Sequence, residues 1–301
     1  MNRLLICLLP PFWLKLPPLS LSYLAASLKN QDENNSDIFI DFNSEIYQKL
    51  KTQYPQDFLI KNWESNNQNH KQFFFENLIE RYPKFIDDLI DKIKKNEITH
   101  IAFSVFESNY YTTMKTIENL KKQCQNIIII VGGPEITKIL TLNKKKEIQA
   151  DIWAVGEGEN AIISIKNGSA KSQYYFEEIK NIDDLAYPDF TIFNLNNYKV
   201  NNCLPILMSR GCINNCSFCS EKKLYKNFKF RQHSSEYTIE MLKYLNKKFN
   251  INWFIFQDSL INANLEKLEK LCILMIDKLP NMKWEAQIYI RNDMPIELFK
   301  L

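Results

Sequence analysis

Short apolar runs alternate with stretches of helical period along the first half of the chain. Arg3 to Leu9 is an apolar run stopped by Pro10-Pro11, which predicts a buried strand opening into a loop. Leu19 to Leu28 places apolar residues at helical spacing behind Pro17-Pro18, with Ser20 as the expected cap. Ile38 to Phe42 predicts a second strand with Asp41 and Asn43 at its carboxyl end, and Ser44 to Lys95 reads as Asn- and Lys-rich helix with an insertion around 62–71. A third strand is expected over Ile98 to Phe106 and a helix over Tyr110 to Cys124. A fourth strand, Asn126 to Val131, runs into Gly132-Gly133-Pro134, and a fifth, Asp151 to Val155, runs into Gly156-Glu157-Gly158-Glu159. This alternation predicts an α/β fold with a doubly wound parallel sheet. Ligands of such sheets bind beyond the carboxyl ends of the strands, and Pro11, Asp41, Ser104, Gly132, Gly133, Gly156 and Glu157 all fall there.

Residues 166–202 lose the periodicity and carry Leu185-Ala186-Tyr187-Pro188-Asp189-Phe190, so they are read as a linker between residues 1–165 and 203–301. Beyond it the alternation restarts: a strand over Leu204 to Met208, a cysteine-rich loop, a helix over Ser235 to Phe249 and a strand over Trp253 to Phe256. A helix over Leu265 to Leu279, a strand over Trp284 to Ile290 and the start of a helix at Pro295 follow, which makes three β/α units.

Composition changes this picture in three ways. The 301 residues, 45% of them hydrophobic and 24% charged, fit two globular domains rather than a disordered or fibrous chain. A net charge of +3 is too small for a strong phosphate-binding field, so no nucleic-acid partner is predicted. The Leu4 to Leu9 run is too short for a signal peptide and no apolar stretch reaches a membrane span, so a cytoplasmic protein without a membrane partner is expected. Glycine is scarce, with only 6 in the chain. Five of them lie in Gly132-Gly133, Gly156 with Gly158, and Gly211, where the backbone is expected to need them, and Gly168 follows Asn167 in a turn dipeptide.

Candidate chemistry concentrates in Arg210-Gly211-Cys212-Ile213-Asn214-Asn215-Cys216-Ser217-Phe218-Cys219, where Cys212, Cys216 and Cys219 have the spacing C-x3-C-x2-C directly after a strand. Three thiolates so close can wrap one soft metal centre, and three ligands on a four-iron cluster leave one iron open. A zinc site with Cys203 as fourth thiolate is the alternative. Cys7, Cys124 and Cys272 lie in apolar runs and are read as core residues.

The cysteine segment, with its Arg-Gly lead-in, Phe218 and the tail Lys222-Lys223-Leu224-Tyr225, resembles the cluster motif of the radical S-adenosylmethionine superfamily. The resemblance implies a 4Fe-4S cluster on Cys212, Cys216 and Cys219 whose open iron binds S-adenosylmethionine. Reductive cleavage of that molecule would yield a radical that abstracts hydrogen from a small-molecule substrate, with flavodoxin or ferredoxin as a typical reductant. Phe218, Asp258 in Phe256-Gln257-Asp258-Ser259, and Arg291 in Ile290-Arg291-Asn292-Asp293 occupy positions that the family uses near S-adenosylmethionine. The first 165 residues resemble the Rossmann-like cobalamin-binding domain that precedes this core in one subfamily. The resemblance rests on Pro10-Pro11, Pro17 to Ala25, Asp41-Phe42-Asn43, the two glycine motifs, Tyr187 to Phe190 and Tyr198. A flat corrin is expected on the sheet edge where side chains are missing, contacting Pro11, Asp41, Ser104, Gly132, Gly133, Gly156 and Glu157. The Asp-x-His-x-x-Gly motif of methionine synthase-like domains is absent, and His70, His100 and His233 are read as structural or solvated.

A radical S-adenosylmethionine core is a TIM-type partial barrel that needs about 180 residues at about 30 per β/α unit. Residues 203–301 hold three such units, so an incomplete barrel is expected, in a truncated chain cut short within a helix at Pro295 to Phe299 that keeps the cluster loop and loses turnover. The resemblance favours cobalamin-dependent methyl transfer to an unactivated carbon and assigns no catalytic residue. A cyclase or rearrangement enzyme of the same subfamily, and a non-catalytic cobalamin or small-ligand binder with a vestigial cluster loop, are the competing readings.

Overall fold

Strand β1, Leu4–Leu8, is buried at every position, as a central parallel strand must be when helices cover both faces of its sheet. In the computed structural model, which describes residues 2–32, 36–55, 63, 68–141, 148–169, 174–219, 221 and 229–300, it pairs with β2 (Ile38–Asp41) on one side and β3 (His100–Ser104) on the other. β4 (Ile128–Gly132), β5 (Ile152–Gly156) and β6 (Tyr174–Glu177) extend the sheet to the order β2-β1-β3-β4-β5-β6, with every pair parallel. The strand order reverses at β1, and loops leaving β1 and β3 diverge to opposite faces there, which opens a crevice at the carboxyl edge.

Alternate residues of the strands feed two cores. Leu5, Cys7, Ile101, Phe103, Ile129 and Val131 point to one face. There they meet α2 (Phe42–Lys51), α3 (Gln68–Arg81), α4 (Phe85–Lys95), α5 (Tyr110–Gln123) and α6 (Pro134–Thr141). Leu4, Ile6, Leu8, Ala102 and Ile130 point to the other, under α1 (Leu19–Gln31) and α7 (Gly158–Lys166). Helices on both faces make the sheet doubly wound, as its alternation predicts.

A smaller sheet holds β7 (Cys203–Ile206), β10 (Trp253–Phe256) and β11 (Lys283–Glu285), parallel and in the order β11-β10-β7. Helices α8 (Ser235–Phe249) and α9 (Leu265–Lys278) connect them. A two-residue antiparallel ladder, β8 (Ser209–Arg210) with β9 (Arg231–Gln232), stands apart. Three strands added in one direction, each followed by a helix or turn, have the succession of a β/α barrel wall.

The chain divides into two compact units: unit 1 is residues 1–178 with 188–199, and unit 2 is 179–187 with 200–301. Residues 166–202 are therefore shared between the units, and they also supply β6.

Several element expectations are corrected. Ser20 does not cap α1: Pro18 holds that position, and the Ser20 hydroxyl lies 3.4 Å from that of Ser104. β7 stops at Ile206 because the Met208 N–H turns to the Asp258 carboxylate. The third strand of unit 2 ends at Glu285, since Tyr289 N–H and C=O are taken by the Asn262 carboxamide instead of by a ladder. The expected helix after Pro295 is a single 3-10 turn, Ile296–Phe299. Of the insertion expected around 62–71, Gln68 onward belongs to α3 and Trp63 is buried; the rest, like Lys222 to Tyr225, lies outside the described residues.

Candidate functional site

In unit 1 the strand register brings Asp41, Ser104, Gly132 and Gly156 to the same edge, with Leu8 opposite Asp41, Ser104 opposite Gly132 and Gly156 opposite Glu177. Pro11 is buried and Glu157 half-buried in the loops beyond. The Ser20 and Ser104 hydroxyls form a polar pair at this edge. Asp41 is turned inward. One carboxylate oxygen caps α2 at the Ser44 N–H, and the other accepts the Tyr198 hydroxyl at 2.6 Å. Burial pushes the Asp41 carboxyl up to about 6, although Tyr198 and Ser44 pull the other way.

The glycines have reasons inside the fold. Gly133 has φ +105°, and a side chain there would meet the Val105 carbonyl oxygen at 2.6 Å. Gly158 faces Leu24 at 3.1 Å from where a Cβ would sit. The close approach the glycines permit is thus between β3 and β4 loops and between α7 and α1, and need not be to a ligand.

Two buried asparagines shape the edge: Asn43, expected at the carboxyl end of the second strand, and Asn109, which sequence reasoning misses. Asn109 donates to Leu9 O and Ser104 O, at 3.0 and 3.1 Å, and accepts the Phe106 N–H, so it fastens both sides of the crevice where the strand order reverses. Asn43 brackets Phe12, accepting its N–H at 2.8 Å and donating to its carbonyl at 3.2 Å, and also accepts from Trp63 Nε1. The only sequence signal of Asn109 is an amide a few residues past a strand end, the position where side chains satisfy loop backbone.

In unit 2, Cys212 and Cys219 are half-exposed, Cys216 is exposed, and all three are free thiols. The Asn214 N–H approaches Cys212 Sγ at 3.4 Å, and the Cys219 N–H bonds the Cys216 carbonyl at 3.1 Å. Among the described residues no three His, Cys, Asp or Glu side chains are drawn together around a metal-sized position. Phe218 is 88% exposed. Cys203 is buried at the amino end of β7, the end away from the cysteine loop.

Asp258 and Arg291 are both engaged within unit 2. Asp258 is buried, accepts the Met208 N–H and the Ser209 hydroxyl, and is pushed up to about 6 by burial. Arg291 forks onto Asp293 at 2.8 and 2.6 Å and donates to the carbonyls of Asn262 and Ala263. It still borders a cavity of 320 Å³, shared with Ile213, Asn214, Leu260, Tyr289 and Asp293, that adjoins the cysteine loop. His233 is buried against Asp183 and stacked on Tyr237, and desolvation lowers it to about 4, so it is a neutral structural histidine. His100 opens β3 at the amino edge, and the side chain of His70 lies outside the described residues. No described helix is long and apolar enough to cross a membrane.

Residues 70–166, which run from α3 to the end of α7, match the family described as B12 binding domain. Over 234 residues the chain is 23% identical to an uncharacterized methyltransferase of Pyrococcus horikoshii, covering 70% of this chain and 48% of that protein. It is 22% identical over 227 residues to an anaerobic magnesium-protoporphyrin IX monomethyl ester cyclase of Cereibacter sphaeroides, covering 66% and 36%. A bacteriochlorophyllide d C-12(1)-methyltransferase of Chlorobaculum tepidum is 31% identical over 119 residues, covering 37% and 25%. The chain spans less than half the length of each of these relatives. Unit 1 thus contains a B12-binding-type domain, in a chain distantly similar to two methyltransferases and a cyclase.

Proposed function

We propose that this chain carries the cofactor sites of a cobalamin-dependent radical S-adenosylmethionine enzyme that transfers methyl to an unactivated carbon. The observation that carries the reading is the pairing, in one chain, of a B12-binding-type domain with three free thiols spaced C-x3-C-x2-C at the carboxyl end of a parallel strand. When bound, an iron-sulfur cluster with S-adenosylmethionine supplies a substrate radical, and cobalamin supplies the methyl group.

The donor sets suit both groups. Cys212, Cys216 and Cys219 are accessible, unbridged soft ligands on one loop and would hold the cluster. The edge of unit 1 offers the paired hydroxyls of Ser20 and Ser104 and the backbone of Gly156 and Glu157, groups that can hydrogen-bond the amide rim of a corrin. No described histidine stands at that edge, so cobalt would take no histidine from the described residues. The Arg291 cavity beside the cysteine loop would take the charged groups of S-adenosylmethionine. Similarity to a named cyclase supports cyclisation as the second reading for the same cofactors.

Anaerobic loading with iron and sulfide, with and without hydroxocobalamin, tests the proposal against the Cys212→Ala/Cys216→Ala/Cys219→Ala variant. About four irons per chain, lost in the variant, together with retained cobalamin absorbance, is the expected result. Uptake of zinc alone, or of no metal, overturns it. Release of 5'-deoxyadenosine under reduction separates an enzyme from a binding protein with a vestigial loop.

A further inference from the structure

The cysteine loop leaves and rejoins unit 2 through a narrow neck. Ser209 pairs with Gln232 and Arg210 with Arg231, so the chain enters and leaves the segment that carries the three motif cysteines at one place, with Gly211 beside Lys229 and Phe230. A ladder of two residues has little stability of its own in water. Side chains from distant elements fasten both of its strands.

On the entering strand, Asp258 at the end of β10 accepts the Met208 N–H at 3.2 and 3.0 Å with its two oxygens and the Ser209 hydroxyl at 2.5 Å. On the leaving strand, Lys267 of α9 donates to Gln232 O at 3.1 Å and His233 O at 3.4 Å. Across the neck the His233 N–H reaches Met208 O at 2.8 Å. Asp183 holds the next residue, accepting the Ser234 N–H at 3.0 Å. An anion therefore sits on N–H donors and a cation on carbonyls, the charge-assisted arrangement that makes such bonds strong. Gly211, just inside the neck, has φ +83° where the chain swings out past Lys229 and Phe230. Asp258 is 1% exposed and both its oxygens are engaged at the neck.

We infer that Asp258 is a positioning residue that closes the neck of the cysteine loop, with Lys267 as its counterpart, and so sets the spacing from which Cys212, Cys216 and Cys219 converge on a metal centre. The metal part of this statement rests on the function proposed above; the neck itself does not.

Two variants test it. Asp258→Asn keeps the size and sets an NH2 among donors, and Lys267→Met removes the charge from the other strand while keeping most of the stem. In the metal-free chain, either change is expected to speed hydrogen exchange of the amides of residues 208–210 and 231–234 about tenfold, while amides of β10 and α8 keep wild-type protection. After anaerobic loading, both variants are expected to hold roughly half the wild-type iron or less, with a changed electron paramagnetic resonance spectrum in the reduced state. Unchanged exchange at the neck overturns the inference. So does Asp258→Asn with wild-type iron and spectrum but lost S-adenosylmethionine binding, which would make Asp258 a ligand contact. If the wild-type chain takes up no iron, the proposed function fails while the exchange experiment still decides the neck. If Asp258→Asn does not fold, Lys267→Met decides it alone.

Discussion

Asp41 and Tyr198 form a buried pair in unit 1, and burial raises both groups above their ordinary values. A carboxyl raised to about 6 in the folded chain holds a proton there that the unfolded chain has released. Its contribution to stability is therefore full below the unfolded value of 3.8 and is lost as pH rises through about 6. Wild type is expected to lose stability relative to Asp41→Asn between pH 4 and 7, and thermal unfolding of the two proteins across that range checks the sign. His100, lowered mainly by desolvation, drives stability the opposite way in the same unit, but it is common to both proteins and cancels in the comparison. At this scale scarcity made the glycines conspicuous in the sequence, while the reason for Gly133, the Val105 carbonyl, depends on a contact between two loops that no local pattern encodes.

Among elements, the join between α7 and the start of β1 rests on an ion pair. Lys166 at the end of α7 meets Asp37 at 2.6 Å with side chains 10% and 0% exposed, and Asp37 also accepts the Leu4 N–H. Removing one charge of such a pair strands the other, so Lys166→Met is expected to destabilise unit 1 by about 3 kcal/mol. Asp37→Asn/Lys166→Met is expected to recover part of that loss, and urea unfolding followed by pulsed hydrogen exchange on unit 1 amides measures both. The five strands expected in the first half all form, because continuous apolar runs between turn residues leave little choice of state. β6 escaped because Tyr174–Glu177 is short and follows a Gly-Ser turn, with pairing to β5 as its main support. Ile288 and Ile290 suggested a longer final strand, yet Asn262 claims the backbone of Tyr289. The cysteine spacing was plain, whereas its neck was not: Asp258 and Lys267 lie 34 to 50 residues from the backbone they hold, beyond the reach of any motif.

For the whole molecule, unit 2 leaves apolar surface in water. Ile273 and Ile276 of α9 and Ile288, Tyr289 and Ile290 beyond β11 are exposed, and β11 is an edge strand paired only with β10 among the described residues. An unpaired parallel edge beside exposed aliphatic side chains favours association between copies. Ile276→Glu/Ile290→Lys is expected to shift sedimentation toward the monomer at concentrations where wild type self-associates. The full reaction belongs to a protein context in which relatives are more than twice as long as the stretch that matches, so turnover is best sought after cofactor loading has been established.

The path of the chain through residues 179–199 has a further consequence. It enters unit 2 at Ile179, returns to unit 1 at Pro188, and leaves again at Val200. The returning strap is well tied: Asp189 bonds Ser22 and Lys29, Asn197 accepts from Gln48, Tyr198 donates to Asp41, and Lys199 bonds Leu14. No single scission can then release both units whole. A cut before Ile179 strips unit 1 of its strap, and a cut after Lys199 strips unit 2 of Asp183 and the edge-to-face contact of Tyr187 with Tyr237. A protease or a gene break that appears to separate two modules would leave one of them missing a fastening, and the two units are in this sense a single inheritance.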